Sequence, residues 1–299
     1  MSSVDDIAGD FASGKGRGDE NFPVASWLIA GRHRPVVWAF YRVARLADDI
    51  ADHVSASRSE KLAAMAEIEG CLTGVKTSVR PACDLRHALA DRDLSDRHIL
   101  DLLVAFRRDV VKPRTADWGD LMDYCRYSAA PVGRFMLEVH GEDRACWPAS
   151  DALCAALQVI NHLQDCGEDY RTLDRIYVPA DALNAAGLTE AALGETSASL
   201  ALKSVISDLT VRTGQLLAAA APLASRVRDP RLALEIGVIH SLAVSLNRRL
   251  AREDPLAGKV RHAPIETIGL ALGGAAAAVM RMAGRRTRGP EAIQASPAQ

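Results

Sequence analysis

Between Ala145 and Tyr170 the chain carries no lysine or arginine, yet it sets Asn161, Asp165 and Asp169 four residues apart. On a helix that spacing stacks the three side chains on one face, with Gln158 and His162 on the same side. Leu153, Leu157, Ile160 and Leu163 hold the opposite, apolar face. Exposed helix faces ordinarily interleave both signs of charge, so an acid stripe without a base calls for a cation from elsewhere. A second stripe stands upstream, where Arg45, Asp48, Asp49 and Asp52 fall at i, i+3, i+4 and i+7 beside an apolar row of Val36, Phe40, Val43, Ala47 and Ile50. Carboxylates one turn apart lie about 6 Å from each other along the axis. They repel by roughly 3 kcal/mol at an effective dielectric of 20. Alone, the upstream stripe is equally a solvated face with Arg45 pairing to its neighbours. The two stripes together point to shared metal, and hard carboxylate and amide oxygens suit Mg2+, which keeps waters and bridges to substrate phosphates.

The remaining chain reads as helices. Apolar residues recur at helical spacing, period-two stretches are scarce, and Ala, Leu, Arg and Glu outnumber β-branched residues. Pro23 is expected to open the first helix, Ser95 to cap one that stops at Lys112-Pro113, and Asp117 to start a segment that breaks at Pro131 and ends at Gly141. A long helix follows Pro148 to about Leu173, and further helices cover roughly 197 to 228, 230 to 252 and 264 to 282. No linker splits this body and no repeat is visible. The expectation is an all-α, single-domain bundle over 21 to 283, with flexible ends at 1 to 20 and 284 to 299.

Composition removes several function classes. With 48% apolar residues in 299 the chain can bury a large core, and its net charge of −2 offers no global field for nucleic acid. Six cysteines without a Cys-x-x-Cys pair read as reduced core thiols of a cytoplasmic protein, and the acidic start is no secretory signal. The apolar run from Ile268 to Met280 is 13 residues long, whereas a bilayer span takes about 20. It is a core or interfacial helix. The arginines after it (Arg281, Arg285, Arg286, Arg288) suit either a solvated tail or loose contact with anionic lipid at the inner membrane. Gly9 to Lys15 nearly spells a phosphate loop, but Gly16 stands where Ser or Thr should hold metal, and no strand precedes it. No nicotinamide-binding motif and no Glu-x-x-His pair is present, and His162 reads as a packed helix residue.

Three segments carry a resemblance: Asn21-Phe22-Pro23 through Asp52, Tyr124-Cys125-Arg126-Tyr127-Ser128, and Asn161 to Pro179 with its Asp-Arg-Ile-Tyr-Val-Pro ending. In that order they resemble the squalene/phytoene synthase family over nearly the whole chain. The resemblance implies the isoprenoid synthase fold, with a central cavity and a prenyl diphosphate held through Mg2+. Carried over position by position, Asp48, Asp52, Asp165 and Asp169 would bind metal, with Asn161 and Arg45 helping to hold metal and diphosphate. Gln158 would line the site and Tyr127 would face the reacting carbons. Tyr41 offers a second aromatic face for a cation, or core packing. Arg42, Arg171 and Arg175 stand close enough in sequence to supply cations to diphosphate, and the latter two are equally placed for the surface. Glu20 to Ser26, the Ala129-Ala130-Pro131 run and Gln164 are similar to one branch of the family, which acts on presqualene diphosphate in bacterial hopanoid pathways. That branch implies hydroxysqualene as product; the alternatives are squalene or phytoene made by condensing farnesyl or geranylgeranyl diphosphate. A chain-elongating prenyltransferase would want a second Asp-Asp-x-x-Asp, which is missing, and a non-catalytic helical adaptor would bind no diphosphate.

Overall fold

The first apolar row is carried by α1 (Arg34–Asp52), whose opening turn contains Pro35, a residue preset for that position. The computed structural model describes residues 29–287, without the side chains of Pro264 and 281–287. Pro23, expected to open this helix, therefore lies outside the described residues, as do the Asn21-Phe22-Pro23 signature and most of both expected flexible ends. Helix α2 (Arg58–Leu72) begins with a capping box in which Ser57 and Glu60 satisfy each other's backbone N–H. Next come α3 (Arg80–Ala90) and α4 (Arg97–Val111). The cap of α4 falls at Asp96 and not at Ser95, whose hydroxyl instead accepts from the Arg97 N–H at 3.1 Å.

Asp117 caps α5 (Trp118–Ser128) as expected, accepting from the Asp120 N–H. The break before α6 (Ala130–Val139) comes at Ala129, two residues ahead of Pro131, because proline is harmless within a first helical turn where no N–H is needed. Helix α7 (Trp147–Glu168) ends in a single wider turn of π type, Asp169–Leu173, so the long helix expected to reach Leu173 changes pitch at its last five residues. Then follow α8 (Ala180–Ala185), α9 (Leu200–Ala220), α10 (Leu223–Arg226), α11 (Pro230–Leu250) and α12 (Pro264–Thr287). The last helix runs past the expected end at 282, since the next strong breaker is Gly289-Pro290. The architecture is all-α. Among the described residues the one extended pairing is an isolated bridge between Arg114 and Ile176.

The core has two parts. One gathers α1 to α4 and takes Phe135 and Val139 from α6. The other is built around α7, with α5, α9 and α11 against it, and takes Leu137 from α6. Helix α6 is thus the seam, and Phe135 stacks on Phe40 with ring centroids 4.0 Å apart and planes 11° from parallel. Helix α12 lies along α11 at glycine distance: a Cβ on Gly274 would stand 2.5 Å from the Gly237 carbonyl oxygen. Its outer face leaves Ile265, Ile268, Leu272, Val279 and Met280 more than half exposed, so of the two readings of this run the core helix does not hold: it is an outer helix with one exposed apolar face. All six cysteines are free thiols, four of them buried.

Phe135→Ala should lower stability by about 3–5 kcal/mol, because it opens a cavity in the α1–α4 core where α6 docks against Phe40. Urea unfolding followed by circular dichroism measures this; a loss below about 1 kcal/mol would mean that Phe135 does not anchor α6 to the α1–α4 core.

Candidate active site

The acid stripe of α1 and the end of α7 meet through Arg175. Beyond the π turn Asp174 takes a left-handed conformation (φ 50°), which turns the chain back so that the Arg175 N–H bonds the Asp169 carbonyl at 3.1 Å. The loop after α4 clamps this return: Ile176 donates to the Pro113 carbonyl at 2.9 Å and accepts from the Thr115 N–H at 3.1 Å. Arg114 adds ion pairs to Asp174 (2.6 Å) and Glu190 (2.9 Å). Arg175 is thereby driven inward, with a side chain only 9% exposed, and its Nη1 donates to Asp52 Oδ1 at 2.8 Å. Its Nε is buried and has no partner among the described residues.

Around that ion pair the expected ligands gather. Arg45 reaches Asp48 and Asp49, each at 3.1 Å. Burial, and next the adjacent Asp52, push the Asp48 carboxyl above the usual carboxylate range, against the pull of Arg45. Burial and the neighbouring Asp165 push Asp169 up to about 7, and Asp169 also feels Asp52 across the cleft. Asn161 and Asp165 lie half-buried on the same helix face, two turns and one turn before Asp169. No three of these carboxylates have oxygens within 4.8 Å of one another. The one trio of ligand-type side chains that does, among the described residues, is His33, His140 and Asp229. That trio sits at the other end of α1, about 22 Å from Asp48 by helical rise. It borders a cavity of about 620 Å³ whose walls include Arg32, Arg228 and Arg231. Arg32 and Arg92 both direct guanidinium groups at the His33 ring, at 3.0 and 3.1 Å, surroundings that repel a cation.

The other predicted site residues divide. Gln158 is half-buried and lies 3.1 Å from the ring of His162. His162 is buried and stacks on Tyr177 at 3.5 Å, which makes it a packed residue as expected. Tyr127 is half-buried against the α7 core with Arg126 over its ring, and Tyr41 meets Trp38 edge-on at 5.6 Å. Arg42 is exposed and faces Asp84 on α3 at 3.6 Å, while the exposed Arg171 lies against Gly167. Of the three arginines, Arg175 alone is brought onto the acid stripes. Gln164 is buried and donates to the Val260 carbonyl, tying α7 to the segment before α12.

Sequence reasoning gave no role to four residues here. Lys61 donates to the Ala51 carbonyl at 2.8 Å, and burial with Arg175 close by pulls its pKa down. Tyr124 and Tyr177 both donate to the buried Asp109 at 2.8 Å. Burial raises Asp109 to about 6 despite those bonds and the charge of Arg175. A signal for Asp109 existed: it continues the apolar row of Leu102 and Ala105, where an acid has no place without a partner.

With this geometry in hand, residues 15–266 match the family model described as squalene/phytoene synthase. The chain is 49% identical over 274 residues to the hydroxysqualene synthase of Rhodopseudomonas palustris, covering 92% of this chain and 94% of that one. It is 50% identical over 271 residues to the hydroxysqualene synthase of Zymomonas mobilis, covering 90% and 91%. A crystal structure of squalene synthase HpnC from Alicyclobacillus acidocaldarius is similar at TM-score 0.68 and 31% identity, over 83% of this chain and 93% of that one. A dehydrosqualene synthase in complex with ligand shares the fold at TM-score 0.73 and 19% identity, over 91% and 96%.

Burial, reinforced by the charge of Arg175, holds His162 down at about 3 against an ordinary 6.5. The neutral ring therefore stabilises the fold fully above pH 6.5, and that contribution is lost as pH falls toward 3, where the unfolded chain binds the extra proton. Urea unfolding of the wild type and His162→Phe between about pH 4 and 7 tests it: the wild type should lose up to about 1.4 kcal/mol per pH unit more than the variant. Parallel profiles would show that the ring is not held neutral.

Proposed function

The chain belongs to the squalene/phytoene synthase family, and from that membership we propose that it is a hydroxysqualene synthase converting presqualene diphosphate and water to hydroxysqualene and diphosphate. The observation that carries this reading is near-50% identity to two hydroxysqualene synthases over nine-tenths of each length. In this reading the enzyme is a carbon–oxygen lyase. The carbon–oxygen bond to diphosphate breaks with its electron pair leaving on diphosphate, the cyclopropylcarbinyl cation rearranges, and water adds to the final allylic cation and then loses a proton.

Asp48, Asp52, Asp165 and Asp169, with Asn161, would hold Mg2+. Their hard oxygens suit that ion, and the Asp48 and Asp169 carboxyls, raised by burial first and by the neighbouring Asp52 and Asp165 next, would be relieved by a divalent cation. Mg2+ supplies Lewis-acid stabilisation of the departing diphosphate. The chain's own residues supply the rest. Arg175, whose buried Nε has no partner among the described residues, offers fixed positive charge to the leaving group, and Arg45 adds a second cation from α1. Tyr127 and Tyr41 present aromatic faces suited to cationic carbons, and Gln158 lines the α7 side. Arg42 and Arg171, exposed as they stand, would contribute to long-range attraction of the anionic substrate and not to contact with it. The neighbour named squalene synthase favours a second reading, condensation of farnesyl diphosphate by a prenyltransferase route.

Among the described residues no helix is long and apolar enough to cross a membrane. We place the enzyme in the cytoplasm with loose contact at the inner membrane through α12, whose outward Ile265, Ile268 and Leu272 precede four arginines in sequence.

With presqualene diphosphate and Mg2+ but no NADPH, the main product should be hydroxysqualene, and in ¹⁸O-labelled water its hydroxyl should carry the label. Squalene formed only with NADPH, or phytoene from geranylgeranyl diphosphate, would overturn the reading. Asp48→Asn and Asp165→Asn should each cut turnover by at least about a hundredfold while the melting temperature stays near the parent. Sedimentation with phosphatidylglycerol vesicles checks the membrane contact: Ile268→Glu/Leu272→Glu should release the bound protein, and equal binding by both forms would refute it.

A further inference from the structure

The site contains one buried carboxylate that the reaction above does not use. Asp109 lies in the last turn of α4, where a negative charge opposes the helix dipole and where stability alone favours a neutral or basic side chain. It is 8% exposed, and its two oxygens accept one hydrogen bond each, from Tyr177 at Oδ1 and Tyr124 at Oδ2. The two hydroxyls are themselves 3.2 Å apart. Behind Tyr177 the stack continues into His162, which keeps the ring plane fixed. Tyr177 is two residues beyond Arg175 on the strand-like return that the Arg114–Ile176 bridge pins, so whatever fixes Tyr177 fixes the backbone from which Arg175 projects.

Charge leads to the same place. Burial opposes the Arg175 charge, and the surrounding Tyr177, Asp109 and Asp52 more than offset that opposition. Asp52 is the only one of the two carboxylates that bonds the guanidinium, and it is also one of the proposed ligands. Were a divalent cation to draw on Asp52, Arg175 would sit beside a like charge with its best partner shared. A second anion is then needed nearby, and Asp109 is a buried one whose charge reaches Arg175.

We propose that Asp109 is a positioning residue of the diphosphate site: through Tyr177 and Tyr124 it anchors the return after the π turn, and through its charge it keeps Arg175 seated when a divalent cation draws on Asp52. The proposal rests on the reading of Arg175 and Asp52 as part of that site. It makes Asp109 specific to the loaded state, in contrast to a carboxylate that merely packs.

The test is a double-mutant cycle on the full-length protein with Asp109→Asn and Arg175→Gln, read by steady-state turnover of presqualene diphosphate and by the melting-temperature rise with Mg2+ plus inorganic diphosphate. Asp109→Asn should lower kcat at least about tenfold with KM within about threefold, and should lose most of the rise with Mg2+ and diphosphate while melting near the parent without them. In the Arg175→Gln background the same change should cost little more, because the two act as one unit. Tyr177→Phe, which keeps the buried carboxylate, should show the same pattern at smaller size and carries the test if Asp109→Asn folds poorly. Wild-type turnover of Asp109→Asn beside a crippled Arg175→Gln overturns the inference and leaves the site reading intact. Fully additive losses overturn it as well, and full activity of Arg175→Gln overturns both.

Discussion

The ion pair between Arg175 and Asp52 is the interaction on which the rest of the site depends. It joins the return after the α7 π turn to the last turn of α1, two segments 123 residues apart in sequence. The guanidinium is nearly buried and the carboxylate only partly so. A pair of this kind contributes little net stability, but loss of one partner leaves an uncompensated charge, typically at a cost of about 3–5 kcal/mol. Its value here is geometric. Two helices bearing aspartates on facing sides repel, and a fixed cation between them lets the cleft exist at all.

The helix ends show how far this cleft is from a stability optimum. Acids sit at the C-terminal turns of α1 (Asp48, Asp49, Asp52), α4 (Asp109) and α7 (Asp165, Glu168), where helix dipoles already concentrate negative potential. Three such ends bear on one region, so dipoles and side chains act with the same sign. Such a site is poised for cations by backbone as well as by carboxylate. At its other end α1 shows the reverse, with Arg32 and Arg92 around His33. One helix therefore carries a cationic head and an anionic foot, and only the foot suits metal.

Much of this was legible beforehand, for physical reasons. The acid stripes show because i, i+4 spacing survives any tertiary context, and α5 and α7 show because prolines and cap residues mark them locally. The end of α7 was placed at Leu173 because a π turn has no composition of its own; its signature is one extra residue per turn, which periodicity over five residues cannot resolve. Arg171 and Arg175 were indistinguishable for the same reason, since only the left-handed Asp174 decides which of them turns inward. Asp109 escaped because its partners, Tyr124 and Tyr177, come from segments 15 and 68 residues away, and their convergence is a tertiary fact.

The π turn also sets a counting rule for the chain. In an α-helix each residue advances about 100° around the axis, so one residue more or less between Asp169 and Arg175 rotates everything downstream by that angle. The wide turn absorbs one such step, letting Asp169 stay on the metal face while the chain after Asp174 still meets the loop beyond α4. Length, more than identity, is what the residues from Tyr170 to Asp174 hold constant. A relative could exchange several of these side chains and remain in frame, whereas a one-residue deletion would move Arg175 out of register with Asp169 and with the loop beyond α4.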